Sequence, residues 1–206
     1  MLKTIVGAVL GIATSAAVLT WVKHVLTRSH STFAFSCSHV LFLCVCSAVS
    51  GTEVIGRPLD DTVILGSVSV LLVCQVPVDF ALHRLLRWPT FICTGAICSI
   101  YVIDGLSSET LWTRVGTMIQ SFTVPGLLAL LARLRPQALG FGDVLLTVPL
   151  SLALTRVDVK LLLWWLLAAS ITGALHGIAA AVKGRKTIPF GPHLLLWSWL
   201  FLLLNL

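Results

Sequence analysis

Eight apolar runs, joined by loops too short to fold by themselves, leave this chain little choice of environment. They cover roughly 4–22, 33–49, 62–82, 90–103, 115–132, 143–155, 161–182 and 190–206. A helix needs about 20 apolar residues to cross a bilayer, and most of the runs approach that length. The fourth and sixth are short; they borrow flanking residues or enter the membrane at an angle. Only 11% of residues are charged, against about 25% in a soluble domain, so no soluble domain of useful size fits between the runs. The expectation is an all-α polytopic membrane helix bundle with about eight transmembrane segments. It forms one integral-membrane domain over 1–206: two N-terminal helices within 1–61, then a core over 62–206. No internal repeat or low-complexity linker divides it.

The first run could be a signal peptide. Its length and its heavier basic flank on the far side, Lys23 and Arg28, favour a retained helix. Orientation follows from the loops. With the N-terminus outside, the inner loops hold Lys23, Arg28, Arg84, Arg87, Arg133, Arg135, Lys183, Arg185 and Lys186, and the outer side holds Lys3, Arg57, Arg114, Arg156 and Lys160. That bias satisfies the positive-inside rule and puts both termini outside. The net charge of +6 is spread over helix ends, where it sets orientation and meets anionic lipid. The partner it implies is the bilayer, not nucleic acid.

The acids sort more sharply. Glu53, Asp60, Asp61, Asp104, Glu109 and Asp158 fall on the outer side, and Asp79 and Asp143 stand alone on the cytoplasmic side. Asp79 closes the third run; Asp143 opens the sixth. A carboxylate beside lipid is expensive and marks a candidate site. Asp143 ends Gly140-Phe141-Gly142-Asp143, where two glycines let the backbone bend and let an extended peptide come close. An interfacial Asp79 paired with Arg84 or Arg87 is the plainer reading of the first carboxylate. Pro189-Phe190-Gly191-Pro192 introduces the last run; proline suits a helix start, and the stiff, donor-poor loop also suits the wall of a peptide channel. The substrate-binding candidates are therefore Gly140, Phe141, Gly142, Pro189, Phe190, Gly191 and Pro192. His176 reads as a packed residue rather than a ligand. Trp164, Trp165, Trp197 and Trp199 read as lipid-facing or interfacial anchors. Cys37, Cys44, Cys46, Cys74, Cys93 and Cys98 lie in apolar runs with no C-x-x-C, which argues against disulfides and a zinc site.

Three stretches together resemble the type IV prepilin peptidases, membrane aspartyl proteases of the G-x-G-D type. They are Val78-Asp79-Phe80-Ala81-Leu82-His83-Arg84-Leu85, the G-x-G-D motif at 140–143, and Pro189-Phe190-Gly191-Pro192, in the family's order and spacing over 62–206. The chain departs from the family in having Leu86-Arg87 after the basic stretch, where Pro-Asn or Pro-Asp is usual, and Leu145 where a lysine is usual. It has only 24–32 in the place of the cytoplasmic zinc-binding domain. It is similar to the short forms that serve Flp or Tad-type pili.

The resemblance implies an aspartic endopeptidase of the inner (plasma) membrane with Asp79 and Asp143 catalytic, a mechanism that needs no metal or cofactor. Full-length relatives also carry zinc and methylate the product, but the lack of paired cysteines and of a glycine-rich cofactor loop other than the G-F-G argues against zinc and methyl transfer here. The implied substrate is a prepilin or pseudopilin with a basic leader before an apolar helix. Two carboxyls within a few ångströms share a proton: one activates water, the other donates to the carbonyl oxygen and then to the leaving amine. Asp143 opens a helix, where the dipole favours a negative charge, and Asp79 closes one, so Asp143 is expected to be the base. The alternatives are a catalytically impaired relative, or a non-enzymatic transporter or scaffold. A presenilin-like protease would need Tyr-Asp and Pro-Ala-Leu motifs, which are absent from the sequence.

Overall fold

The computed structural model describes residues 2–28, 37–54, 57–82, 85–107, 111–135, 139–184 and 188–206. Among the described residues there are helices and connecting turns and no strand. In chain order the helices are α1 (Leu2–Arg28), α2 (Cys37–Val54), α3 (Leu59–Leu82), α4 (Arg87–Ser107), α5 (Leu111–Ser121), α6 (Thr123–Leu134), α7 (Phe141–Val157), α8 (Leu161–Val182) and α9 (Gly191–Asn205). Each apolar run, within the described residues, has become helix. The fifth run became two, because Pro125 cannot donate a hydrogen bond to the Ser121 carbonyl and the ladder breaks at Phe122. Five stretches are long and apolar enough to cross a membrane: Ile5–His24, Leu59–Phe80, Arg87–Leu106, Trp112–Leu134 and Leu161–Val182. This is a helical membrane protein. The fourth run takes its missing length from both flanks, while α7 stays at 17 residues and α9 at 15.

The core lies where α3, α4, α7 and α9 meet, and Leu65, Leu72, Ile97, Leu146, Leu150, Leu154 and Leu194 are fully buried there. Lipid is as apolar as leucine, so close packing and hydrogen bonds between helices must hold such a bundle together. The bonds are visible. The Tyr101 hydroxyl donates to the Leu152 carbonyl at 2.9 Å, tying α4 to α7. Trp165 Nε1 donates to the Leu194 carbonyl at 2.8 Å, and Trp199 Nε1 to Ser50 Oγ at 2.7 Å. These two tryptophans are interior, which corrects their reading as lipid-facing anchors; an indole N–H with a partner can be buried. Trp197 likewise donates to Thr172 Oγ1 at 3.1 Å, and Trp164 alone of the four is mostly exposed. On the far side of α3, α1 and α2 touch backbone to backbone at Gly11 and Gly51, with no room for a Cβ.

Three of the core helices carry charge at both ends. In α3 these are Asp60 and Asp79, in α7 Asp143 and Arg156, and in α4 Arg87 and Asp104. Arg156 donates to Asp60 at 2.7 Å and pairs with Asp104 as well. The end of α7 therefore meets the start of α3 and the end of α4, so α7 runs antiparallel to α3. At 1.5 Å per residue, about 28 Å of helix separates Asp60 from Asp79, close to the thickness of a bilayer's hydrocarbon core. One polar layer holds Asp60, Asp104 and Arg156. The other holds Asp79, Arg87 and Asp143.

Candidate active site

Three helix ends build the second polar layer, and each is shaped by its local sequence. α3 passes through Pro77, which cannot bond the Val73 carbonyl, and ends soon after Asp79. Asp79 is buried, 5% exposed. α7 starts at Phe141 because Gly140 caps it in an extended conformation, φ −72° and ψ 140°. Asp143 is then the third residue of the helix. Its carboxyl turns back toward Gly140, with Oδ2 3.4 Å from where a Cβ there would stand, on the side a capping-box residue takes. α9 starts at Gly191, with Pro192 in its first turn, where no N–H is missed. Gly191, the first residue of α9, lies directly against the Asp79 carboxyl.

The two carboxyls converge on Gly191. A Cβ placed there would stand 2.7 Å from Asp79 Oδ2, 3.5 Å from Asp143 Oδ1 and 3.4 Å from Leu85 Cδ2. The two oxygens therefore lie no farther apart than those first two distances laid end to end. A Cβ at Gly191 would crowd Asp79 Oδ2 but meet Asp143 Oδ1 at ordinary contact distance. Asp79 Oδ2 is buried and has no hydrogen-bond partner among the described residues, an arrangement natural proteins seldom leave without use. Among the described residues no ion pair involves Asp79 or Asp143. Arg84, the other candidate partner for Asp79, lies outside the described residues, as does His83.

The dyad faces a cavity of about 510 Å³. Gly140, Phe141, Gly142 and Leu145 line it together with Leu85, Leu86, Arg87 and Thr90. Phe141 is 70% exposed at the rim. Pro189, Phe190, Gly191 and Pro192 are not on the lining. They act from behind: Pro189 and Pro192 are buried, and the Phe190 ring rests on Gly173 of α8 so closely that a Cβ there would come within 2.8 Å of it. The structure thus brings together Asp79, Asp143 and the glycines of both motifs, and gives the proline loop a supporting place. Leu145, where the family carries lysine, lines the cavity.

The sequence argument separating the two carboxyls by helix position does not survive this geometry. Asp79 closes α3, but the N-terminus of α9 sits against it, so each carboxyl meets the positive end of a helix. His176 is tied to α9: its Nδ1 lies 3.0 Å from His193 Nε2. One residue escaped the sequence reading. Gln75 is fully buried one turn before Asp79, and its side chain bonds the Leu86 backbone and Thr90. A lone carboxamide inside an apolar run was the available signal.

No protein-family model matches this chain, and no similar curated protein or solved structure was found.

Proposed function

We propose that this chain is a membrane aspartyl endopeptidase of the prepilin-peptidase kind, cutting a basic leader from an apolar helix at the cytoplasmic face. The supporting observation is the convergence of Asp79 and Asp143 on Gly191 at the edge of an open cavity. Two carboxyls so close favour a state holding one proton, in which the ionised partner deprotonates a water and the protonated partner donates to the carbonyl oxygen. Proton donation to the leaving amine completes hydrolysis. The glycine wall at 140–142 leaves room for an extended peptide, and Asp79 Oδ2 is an acceptor awaiting a donor. Eight crossings, with both termini outside and the dyad facing the cytoplasm, go with this reading, as does residence in the inner membrane with a prepilin or pseudopilin as substrate.

Leu145 in the cavity lining favours a second reading, in which the fold persists with little or no activity. One assay separates the two. Purified protein is reconstituted with a model substrate of basic leader and apolar helix, and products are read by mass spectrometry. The protease reading expects a single cut between leader and helix, with a rate that falls on both sides of a pH optimum. Loss occurs when both carboxyls are protonated and again when both are ionised. An intact substrate at every pH would leave the impaired-relative reading.

A further inference from the structure

Leu86, just before α4, is held by one buried side chain. Gln75 Oε1 accepts from the Leu86 N–H at 2.8 Å, while its Nε2 donates to the Leu86 carbonyl at 2.6 Å and to Thr90 Oγ1 at 3.1 Å. Thr90 Oγ1 donates in turn to the same carbonyl at 3.1 Å. The carboxamide therefore pairs with both the N–H and the C=O of one residue, as a neighbouring strand would, and anchors the grip to the first turn of α4. All this lies where Gln75 has no exposure at all.

What the grip fixes is the wall of the cavity. Leu85, next to the gripped residue, fills the notch between the two glycine motifs. Its Cβ lies 3.4 Å from where a Cβ on Gly142 would be, and its Cδ2 lies 3.4 Å from the corresponding point on Gly191. A turn with free ends could swing this side chain toward or away from the carboxyls. Three hydrogen bonds from a fully buried amide leave it one position, since breaking them would strand buried polar groups.

The geometry points to Gln75 as the positioning residue of the site: it holds the Leu85–Leu86 wall against Gly142 and Gly191 and so sets the width of the groove beside the carboxyls. That the groove takes a peptide rests on the proteolytic reading above; that Gln75 holds the wall does not.

The Cβ positions of residues 85 and 142 are at disulfide distance, which gives a test free of any activity. Leu85→Cys with Gly142→Cys should cross-link under mild oxidation in membranes, with the 85–142 link identified by peptide mass. Gln75→Met, of similar size but without the amide, should slow the cross-link about tenfold. Thr90→Val, which removes one of the three bonds and leaves the helix start in place, should slow it about two- to threefold, and it decides the matter if Gln75→Met does not yield folded protein. Cross-linking at the unchanged rate in the folded Gln75→Met variant, or unchanged in Thr90→Val where Gln75→Met is not folded, overturns the proposal. So does a double-cysteine protein that fails to cross-link with Gln75 present. In the cleavage assay Gln75→Met should raise KM about tenfold, with a smaller change in kcat, and shift the preference between small and bulky residues at the scissile bond. If the cross-link behaves as stated and even the wild type cuts nothing, the proteolytic reading fails and the role of Gln75 stands.

Discussion

The two polar ends of the bundle share α3 and α7 but differ in electrostatics. At one end Arg156 lies between Asp60 and Asp104, each acid within ion-pair distance of the same guanidinium. At the other, Asp79 and Asp143 face each other across a glycine, and among the described residues neither has an ion-pair partner. Arg87, the described cation on that cavity, sits on its wall rather than between the carboxyls. Charge compensation is what a structural lock requires, since a buried charge without a partner is destabilising. Two mutually uncompensated carboxyls are tolerated where chemistry needs one of them to keep a proton. The comparison suits the Arg156 end to assembly and, on the proposed reading, the Gly191 end to catalysis.

Breaking the functional end should have the largest effect. Asp79→Asn and Asp143→Asn are each expected to lower cleavage about 10³-fold or more while the protein still inserts and elutes as a folded species, because each removes a proton-transfer group. Gly191→Ala comes next. The added methyl would stand 2.7 Å from Asp79 Oδ2, so the carboxyl must move, and a displacement near 1 Å is worth about 10²-fold in rate. Thermal melting in detergent should show the Gly191→Ala protein folded; unchanged cleavage by it would break the claim that the glycine is the meeting point.

At the other end the same assays should separate differently. Arg156→Met removes the guanidinium that Asp60 and Asp104, 31% and 25% exposed, share. It is expected to lower stability by about 1–3 kcal/mol, less than for a fully buried pair, with cleavage per folded molecule nearly unchanged. Asp104→Asn, which leaves Asp60 on Arg156, should have the smallest effect: less than about 1 kcal/mol and near-normal cleavage. A large loss of rate in either variant would mean that the ends are coupled and the division of labour is false.

Much of this division was readable from the chain. The loops sorted Asp79 and Asp143 to one side and Asp60, Asp104 and Arg156 to the other, and the structure brings each set together. Helices followed from apolar length alone. What escaped was whatever depends on which helix faces which. Trp165 and Trp199 look like anchors until α8 and α9 present them to Leu194 and Ser50. His176 gains meaning only when His193 arrives from α9. Gln75 is one polar residue in an apolar run until the chain turns back over it. The dipole argument failed for the same reason, since it considered α3 and α7 and left out the α9 N-terminus that reaches Asp79.

The most direct test of the central claim, that Asp79 and Asp143 act as one unit, is cleavage of the model substrate by four proteins measured side by side: wild type, Asp79→Asn, Asp143→Asn and the double variant. Groups that share one proton and one water give losses that do not add. The expected result is that the double variant is no slower than either single one, all three lying about 10³-fold or more below wild type. Losses that multiply, or a single variant that cuts at the wild-type rate, would contradict it.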